Sequence, residues 1–421
     1  MKKLDYLESL RGIAAFTVVI SHFVVGFYPA LFWGKQSQVH AASDIEIVLS
    51  GTPLHLLYNG TFSVAIFFVL SGFVLTYKFF KDANTRVALL PIAGKRYTRL
   101  FLPVIFSNII AYLFLVFSLY ENQPAAALTR SEWLGSYWLF DPSFTTMLYE
   151  SFIGAFFTKR VTYNGVLWTM TYELFGSMIV YGFISLVGRH PKRTWAYIIA
   201  FLLFRRSYYL AFILGMLLSD IVTREENLFK TISHKGYFIA ILLLGLFFGS
   251  IPSARPLEGT IYSLLGRMAN PRTWYIIGAT LIMIALLNSN RLQKLLSRRP
   301  FVFLGKISFS LYLLHQLVIG TVSSSLLLAI TPALSYHAAC AVTFIVTILV
   351  IFVASYFMYL FVDAKGIEAS QAVHRIIIGW MRSFTNMLRR YFPAPVANSR
   401  LTATLFYPGG PPASPTAKEG A

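Results

Sequence analysis

The chain has 421 residues, of which 56% are hydrophobic and only 13% are charged, and its apolar residues fall in runs long enough to cross a bilayer. This composition excludes an ordinary soluble protein. The formal net charge of +19 would suggest a nucleic-acid partner in a soluble chain, while the single cysteine, Cys340, excludes an intramolecular disulfide and a cysteine-rich metal site.

The first apolar run, LESLRGIAAFTVVISHF, has basic residues before it and no small-residue cleavage site after it, which predicts a retained first span. It carries Arg11 near its start and His22 near its apolar middle. The two residues are 11 positions apart, so they share one helical face to within about 20° and lie about 16 Å apart along the axis. This face is predicted to link the cytoplasmic surface to mid-membrane. The alternative is that Arg11 follows the positive-inside bias and His22 makes a packing hydrogen bond.

Ten apolar segments are predicted to cross the membrane, which indicates an all-α polytopic membrane domain over residues 1–362. They lie at about 10–28, 61–80, 100–120, 166–187, 194–204, 207–222, 237–251, 273–288, 307–329 and 338–362. With a cytoplasmic amino terminus, 27 of the 36 Lys and Arg fall on the inside, so both termini are predicted to be cytoplasmic and the charge reflects topology. Arg205 and Arg206 interrupt the fifth and sixth segments, which leaves the count open by one or two.

Spans two and three carry small and basic residues. FFVLSGFVL places Ser71 and Gly72 within span two, where small residues favour close helix contact over a nucleophile. GKRYTRLFLP puts Arg96 and Arg99 on one face at the inside start of span three. Guanidinium forks at that position suit phosphate groups, either of a soluble ligand or of lipid headgroups.

Span four, within NGVLWTMTYELFGSM, places Glu173 about 10 Å below its outer end, beside Trp168 and Tyr172. A carboxylate there must be paired, protonated or in water, and His22 would serve as its partner. The alternative is a structural glutamate that joins two helices.

His315 lies deep in span nine, within GKISFSLYLLHQLV, downstream of Tyr312. It suits either a helix–helix hydrogen bond or a wall of a site. The long outer loops, about 29–60 and 121–165, are rich in aromatic residues, which suits a sugar-like substrate or interfacial anchoring.

The tail after the last span has two predicted parts. Residues 363–391 alternate apolar and basic residues at helical spacing, which predicts a cytoplasmic amphipathic helix on the membrane surface. Residues 392–421 are rich in Pro, Ala, Gly and Ser, which predicts disorder. We find no internal repeat, P-loop, dinucleotide fingerprint or HExxH motif, and neither a metal nor a permanently bound cofactor is predicted.

Five segments occur in an order that resembles acyltransferase family 3, a family of integral membrane O-acyltransferases that includes bacterial O-antigen and exopolysaccharide acetylases. They are LESLRGIAAFTVVISHF, FFVLSGFVL, RYTRLFLP, LWTMTYELFG and GKISFSLYLLHQ, and they cover roughly residues 4–362. The resemblance implies transfer of an acyl group, commonly acetyl, from cytoplasmic acyl-coenzyme A as co-substrate to a hydroxyl of a carbohydrate or other acceptor.

By motif position, the resemblance implies that Arg11 and His22 are the essential pair. Together with the residue-level reasoning, it predicts catalytic roles for His22 and Glu173, acyl-coenzyme A binding by Arg11, Arg96 and Arg99, and a site wall that comprises Ser71, Trp168, Tyr172, Tyr312 and His315. The chain departs from the family pattern around Arg205 and Arg206, and at Asp363, where the usual following proline is replaced. The second departure is expected to bear little on chemistry.

Two mechanisms and one rival function stay open. His22 acts either as a general base on the acceptor hydroxyl or as a covalent acyl carrier. The rival is a proton-coupled transporter or flippase that uses His22, Glu173 and His315 as a proton path, and a non-catalytic scaffold is a third interpretation. The expected location is the bacterial inner membrane, with the lipid bilayer as partner and without nucleic acid.

Overall fold

The structure, a computed structural model, describes residues 4–85, 88–224 and 235–391. Over these ranges the chain is helical and contains no β-strand, which confirms the all-α prediction. The helices of twelve or more residues are numbered here α1 (Asp5–Phe27), α2 (Gly60–Lys81), α3 (Leu89–Val116), α4 (Trp168–Leu186), α5 (Arg193–Phe204), α6 (Tyr209–Arg224), α7 (Lys235–Gly249), α8 (Pro271–Leu287), α9 (Arg299–Val318), α10 (Tyr336–Met358) and α11 (Ala364–Tyr391).

Shorter helical turns fill the connections between these helices. The α-helical ones are Pro29–Trp33, Ile45–Ser50, Asn122–Thr129, Glu132–Gly135, Phe144–Tyr149, Ser263–Met268, Asn290–Leu296 and Ser324–Ile330. The others are 3₁₀ turns at Gln36–Gln38, Pro53–Tyr58 and Gly165–Leu167, and π-helical segments at Glu150–Thr158, Ile319–Ser323 and Tyr359–Asp363.

Several helices are long and apolar enough to cross a membrane. Among the described residues there are five: Asp5–Phe27, Gly60–Lys81, Leu89–Val116, Arg299–Ile330 and Tyr336–Phe384. A sixth is counted if α8 and Asn290–Leu296, which are bent by 97°, form one broken span. Every predicted apolar segment is helical, but α5 has only 12 residues and α7 only 15, fewer than the roughly 20 that a straight crossing needs. The protein is thus multi-pass, and the count of ten stays a prediction.

Two predicted boundaries differ from the observed ones. Helix α3 begins at Leu89, eleven residues before the predicted start at 100, so Arg96 and Arg99 lie two to three turns inside it. Hydropathy marks where the apolar stretch begins, whereas Lys and Arg continue a helix readily because their propensity for it is high. At the other end, α10 does not stop at 362 but continues through a π-helical turn into α11.

Close backbone approach holds the helices around the site. A Cβ atom built on Gly72 would lie 2.1 Å from the carbonyl oxygen of Phe212, so α2 and α6 touch at a point where only glycine fits. A Cβ on Gly12 would lie 2.5 Å from the backbone nitrogen of Gly305, which brings α1 against α9. The prediction that the small residue Gly72 serves close helix contact agrees with this geometry.

Helix α11 rests on the first half of α3. The Ile377 side chain reaches the position that a Cβ on Gly94 would take, and His374 Nδ1 lies 3.1 Å from the carbonyl oxygen of Pro91. A helix is therefore present where the amphipathic helix is predicted, and it packs against α3; its position on the membrane surface stays a prediction. The predicted disordered segment, 392–421, lies outside the described residues.

Candidate active site

A cavity opens between α1, α2, α3, α4 and α9. It has a water-accessible volume of about 260 Å³ and opens to solvent. Its polar lining includes Arg11, Ser71, Arg96, Arg99, Glu173 and Tyr312. The three arginines that the sequence predicts as donor ligands, separated by up to 88 positions along the chain, thus share one cavity. Three guanidinium groups and one carboxylate give its lining an excess of positive charge, which suits an anionic ligand.

Arg96 is held by an acidic and a hydroxyl group on α4. Its Nη2 lies 2.5 Å from Glu173 Oε2, and its Nε donates to Ser177 Oγ at 2.8 Å. Ser71 Oγ donates to the same carboxylate at 2.9 Å. The carboxylate of Glu173 thus takes Arg96 and Ser71, and the expected contact with His22 is not the one formed. The prediction failed because the apolar pattern does not reveal how far each helix is rotated.

Arg99 forms an ion pair with Asp363, which lies in the π-helical turn after α10. The guanidinium also lies 5.7 Å from the centre of the Phe309 ring. The Asp363 side chain is only 3% exposed, whereas that of Arg99 is 26% exposed. The acidic residue of the family pattern, Asp363, thus positions a cavity arginine, and the expectation that the missing proline after it bears little on chemistry stays a prediction.

Arg11 differs from the other two arginines. Its guanidinium faces the cavity and makes neither a hydrogen bond nor an ion pair with any residue in the described ranges. The carboxylate in the same cavity, Glu173, is already paired with Arg96. The N–H groups of Arg11 therefore stay available for a ligand. Arg11 is thus the guanidinium of the cavity with the most free hydrogen-bonding capacity.

His22 pairs with His315 across the contact between α1 and α9. His22 Nδ1 lies 2.6 Å from His315 Nε2, and His315 Nδ1 lies 3.1 Å from the carbonyl oxygen of Leu311. A carbonyl only accepts, so His315 carries its hydrogen on Nδ1 and, when neutral, accepts at Nε2. His22 then donates from Nδ1, which leaves its own Nε2 as a free basic atom.

Trp133, from the predicted outer loop, stacks on a face of the His22 ring. The two ring centres lie 5.1 Å apart at an angle of 20°. The His315 ring lies nearly in the plane of the His22 ring, at 11°, and meets it edge to edge through the contact between Nδ1 and Nε2. Of the two predictions for His315, the structure shows the helix–helix hydrogen bond, and a role as a site wall stays a prediction.

Tyr312 connects the cavity with the histidine pair. Its ring lines the cavity, and the ring centre lies 5.9 Å from that of His315, one helical turn away. Its hydroxyl makes hydrogen bonds to Thr169 Oγ1 and to the carbonyl oxygen of Val166, both at 2.9 Å. Neither His22 nor His315 is among the described residues that line the cavity, and Tyr312 is the lining residue whose ring lies next to His315.

A family model for an acyltransferase domain, that of acyltransferase family 3, matches residues 4–356. The chain belongs to this family. O-acetyltransferase PaAT-1 from Phomopsis amygdali is 23% identical over 431 residues, a match that covers 89% of this chain and 85% of the relative. No solved structure matches the chain significantly. The predicted family and the predicted acyltransferase enzyme are confirmed.

Not every predicted wall residue of this acyltransferase lies at the cavity. Ser71 and Tyr312 line it, whereas Trp168 and Tyr172 face away from it and pack against Tyr208, at 5.8 and 5.5 Å between ring centres. Neighbouring residues of one helix point about 100° apart, so Tyr172 and Glu173 occupy different faces of α4. Of the five predicted wall residues, Ser71 and Tyr312 thus line this cavity, whereas Trp168, Tyr172 and His315 do not.

Three residues of the acyltransferase site were missed from the sequence. Ser177 lies one turn after Glu173, a spacing that places both on one face and was a usable signal. Asp363 is a lone carboxylate at the end of the last apolar run, which also was a signal. Trp133 is one of several loop aromatics, and nothing in the sequence singles it out as the ring that covers His22.

Proposed function

We propose that this protein transfers an acetyl group from cytoplasmic acetyl-coenzyme A to a hydroxyl of a sugar, glycan or other acceptor at or across the membrane. The observation that carries the proposal is the cavity of three guanidinium groups whose wall, Tyr312, contacts the His315–His22 pair. The hydroxyl acceptor and the acetyl group are supported by the relative, which is an O-acetyltransferase.

The donor would dock by its phosphates. Coenzyme A carries several phosphate oxygens, which guanidinium forks bind bidentately. Arg11 would bind first because its donors are free, while Arg96 and Arg99 are held in place by Glu173 and Asp363 and offer their remaining N–H groups. The pantetheine arm would then extend past Tyr312, so that its thioester reaches the histidine pair about 16 Å along α1.

The chemistry would take place at Nε2 of His22. As a general base, this atom removes the proton of the acceptor hydroxyl, the new C–O bond forms, the C–S bond breaks, and the thiolate of coenzyme A receives the proton. As a carrier, Nε2 first takes the acetyl group with release of coenzyme A and then passes it to the hydroxyl. Mass spectrometry after exposure to donor alone distinguishes the two, because only the carrier accumulates acetyl-His22.

The proposed topology has ten crossings with both termini cytoplasmic. Helix directions that alternate along the chain support it: α1 runs parallel to α9, where Gly12 meets Gly305 and His22 meets His315, and antiparallel to α2, where Ser21 meets Gly60. The Lys and Arg distribution supports it too. Helix α11 would then lie at the cytoplasmic surface. The bacterial inner membrane stays a prediction.

The test uses purified protein, radiolabelled acetyl-coenzyme A and a panel of hydroxyl acceptors. We expect the His22→Ala variant to lose at least about 100-fold in the rate of coenzyme A release, the range that a lost general base or nucleophile costs. His190→Ala is the matched control, because His190 is exposed and lies in the loop between α4 and α5. Equal rates for wild type and His22→Ala would refute the proposal. A proton-coupled flux that needs no acetyl-coenzyme A would favour the transporter instead.

A further inference from the structure

Four aromatic rings that lie away from the cavity form a cluster at the starts of α4 and α6. They are Trp168, Tyr172, Tyr208 and Tyr209, called the tyrosine cluster below. Tyr172 lies 5.5 Å from Tyr208 and 5.2 Å from Tyr209 between ring centres, and Trp168 lies 5.8 Å from Tyr208. These helix starts belong to the face that the topology places away from the cytoplasm.

Two cations lie on the rings of this cluster. The Arg272 guanidinium carbon is 4.6 Å from the centre of Tyr208, and Lys159 Nζ is 4.4 Å from the centre of Tyr172. Arg272 Nη1 also donates to the carbonyl oxygen of Arg206 at 3.2 Å, and Lys159 Nζ donates to the Tyr172 hydroxyl at 3.1 Å. The Nε atom of Arg272 is buried and has no hydrogen-bond partner in the structure.

The cations around the tyrosine cluster have no carboxylate partner in the described chain. Lys159, Arg205, Arg206 and Arg272 form no ion pair with any residue of the described chain, and Arg205 and Arg206 are exposed. Positive charge is disfavoured on this side of a membrane, so four cations without carboxylate partners around one cluster of rings call for a specific reason.

Other cations of the same face do have partners, which makes the contrast informative. Lys35 pairs with Glu132 at 3.0 Å, and Arg160 lies 3.5 Å from Glu150. Arg255 donates to Ser50 Oγ at 2.6 Å. Four outer cations without a carboxylate partner in the described chain thus lie around the tyrosine cluster, and three more, Arg130, Arg255 and Arg267, lie elsewhere in the outer loops.

The tyrosine cluster is backed by the outer part of α2. Tyr208 packs on Phe68 at 5.5 Å between ring centres, and Phe68 is eight residues inside α2. At 1.5 Å per residue, Phe68 lies about 12 Å along the axis from the start of α2 at Gly60. Tyr208 is buried, whereas Lys159 and Arg206 are exposed, so the rings form a fixed base beneath cations that a ligand can reach.

We propose that Arg272, Lys159 and Arg206, backed by the tyrosine cluster, bind the phosphate group of a ligand on the non-cytoplasmic face. The guanidinium fork and the ammonium group supply donors for phosphate oxygens, and the tyrosine hydroxyls supply two more. The phosphate has two sources, a membrane lipid headgroup or the acyl acceptor itself. That it belongs to the acceptor rests on the proposed function, whereas phosphate binding does not.

The experiment measures equilibrium binding to the purified full-length protein in neutral detergent, with glucose 1-phosphate and glucose as probes. Arg272→Gln and Lys159→Gln are each expected to weaken glucose 1-phosphate binding about tenfold, since each removes a charge-assisted hydrogen bond. Lys192→Gln, an exposed lysine at the start of α5, is the matched control and should bind as wild type does. Phosphate bound by the arginine cavity contributes equally to all variants and cancels in the comparison.

A second arm identifies the source of the phosphate. The protein is placed in nanodiscs of phosphatidylcholine with or without phosphatidylglycerol, and retained phosphatidylglycerol is counted by native mass spectrometry. If Arg272→Gln loses phosphatidylglycerol and glucose 1-phosphate does not displace that lipid from the wild type, the bound phosphate belongs to a lipid headgroup. If glucose 1-phosphate displaces the lipid, the lipid and a soluble acceptor share the site. If Arg272→Gln, Lys159→Gln and Lys192→Gln all bind both anions as wild type does, the proposal is wrong. That result would leave acetyl transfer, which is assayed separately by coenzyme A release, untouched.

Discussion

The ion pair of Arg99 and Asp363 joins α3 to the turn after α10. Substitution of each partner in turn distinguishes its contribution to stability from its contribution to donor binding. Asp363→Asn leaves a guanidinium that is 26% exposed and reaches the cavity, so we expect a loss of about 2 kcal/mol in unfolding free energy. Arg99→Gln leaves a carboxylate that is 3% exposed without its cation, and about 3–5 kcal/mol is expected.

The same two substitutions should have different effects on the donor. Arg99→Gln removes a phosphate ligand, and the Kd for coenzyme A should rise about 10- to 100-fold. Asp363→Asn keeps the guanidinium and leaves an amide oxygen that can accept from it, so the Kd should change less than in Arg99→Gln. The double variant should regain stability over Arg99→Gln without regaining affinity. Thermal unfolding in detergent and equilibrium binding of coenzyme A measure both quantities. If Arg99→Gln binds coenzyme A as tightly as wild type does, the donor role of Arg99 is refuted.

Three further predictions concern the histidine pair, a helix contact and an outer loop. His315→Leu should lower kcat about 100-fold or more at unchanged KM for acetyl-coenzyme A, because His22 loses its hydrogen-bond acceptor. His315→Gln should retain most activity, since its amide oxygen can still accept from His22. Equal kinetics for the two variants would contradict a positioning role of His315. Gly72→Ala should lower the free energy of unfolding by about 1–3 kcal/mol, because its Cβ would meet the Phe212 carbonyl. Gly182→Ala, whose Cβ would have nothing within 4 Å, should not lower it. Thermal unfolding measures both, and similar losses would contradict the close contact at Gly72. Burial, with a smaller effect of Arg255, lowers the pKa of His55 to about 3. The unfolded chain protonates this ring below about pH 6.5, so the stability that it contributes is full above pH 6.5 and falls by about 1.4 kcal/mol at pH 5.5. His55→Phe should therefore reduce the loss of melting temperature between pH 7.5 and 5.5, and an unchanged loss would oppose this account.

The sequence predicts the helices better than their mutual rotation. Long apolar runs are helical because a buried backbone must satisfy its hydrogen bonds within the segment, so hydropathy alone locates them. The pairing of Glu173 with Arg96 joins residues 77 positions apart and depends on how α3 and α4 are rotated toward each other. Apolar residues surround a membrane helix on all sides, so hydropathy carries little rotational information.

The candidate site divides in the same way. Arg11 and His22 lie on one helix, where 3.6 residues per turn fixes their separation; Arg11 lines the cavity and His22 contacts His315. The contact of His22 with His315 depends on α1 and α9 running parallel with Gly12 against Gly305, which a single sequence does not reveal. Asp363 has no predicted site role, because its contact with Arg99 depends on how the end of the last span packs against α3.

The central claim is that one cavity delivers acetyl-coenzyme A from the three arginines to His22. Cryo-electron microscopy of the full-length protein with coenzyme A tests it most directly. The account predicts phosphate density beside Arg11, Arg96 and Arg99 and an extended arm whose sulfur lies within reach of Nε2 of His22. Density for coenzyme A outside this cavity, or an arm that ends short of Tyr312 in every class of particles, would contradict it.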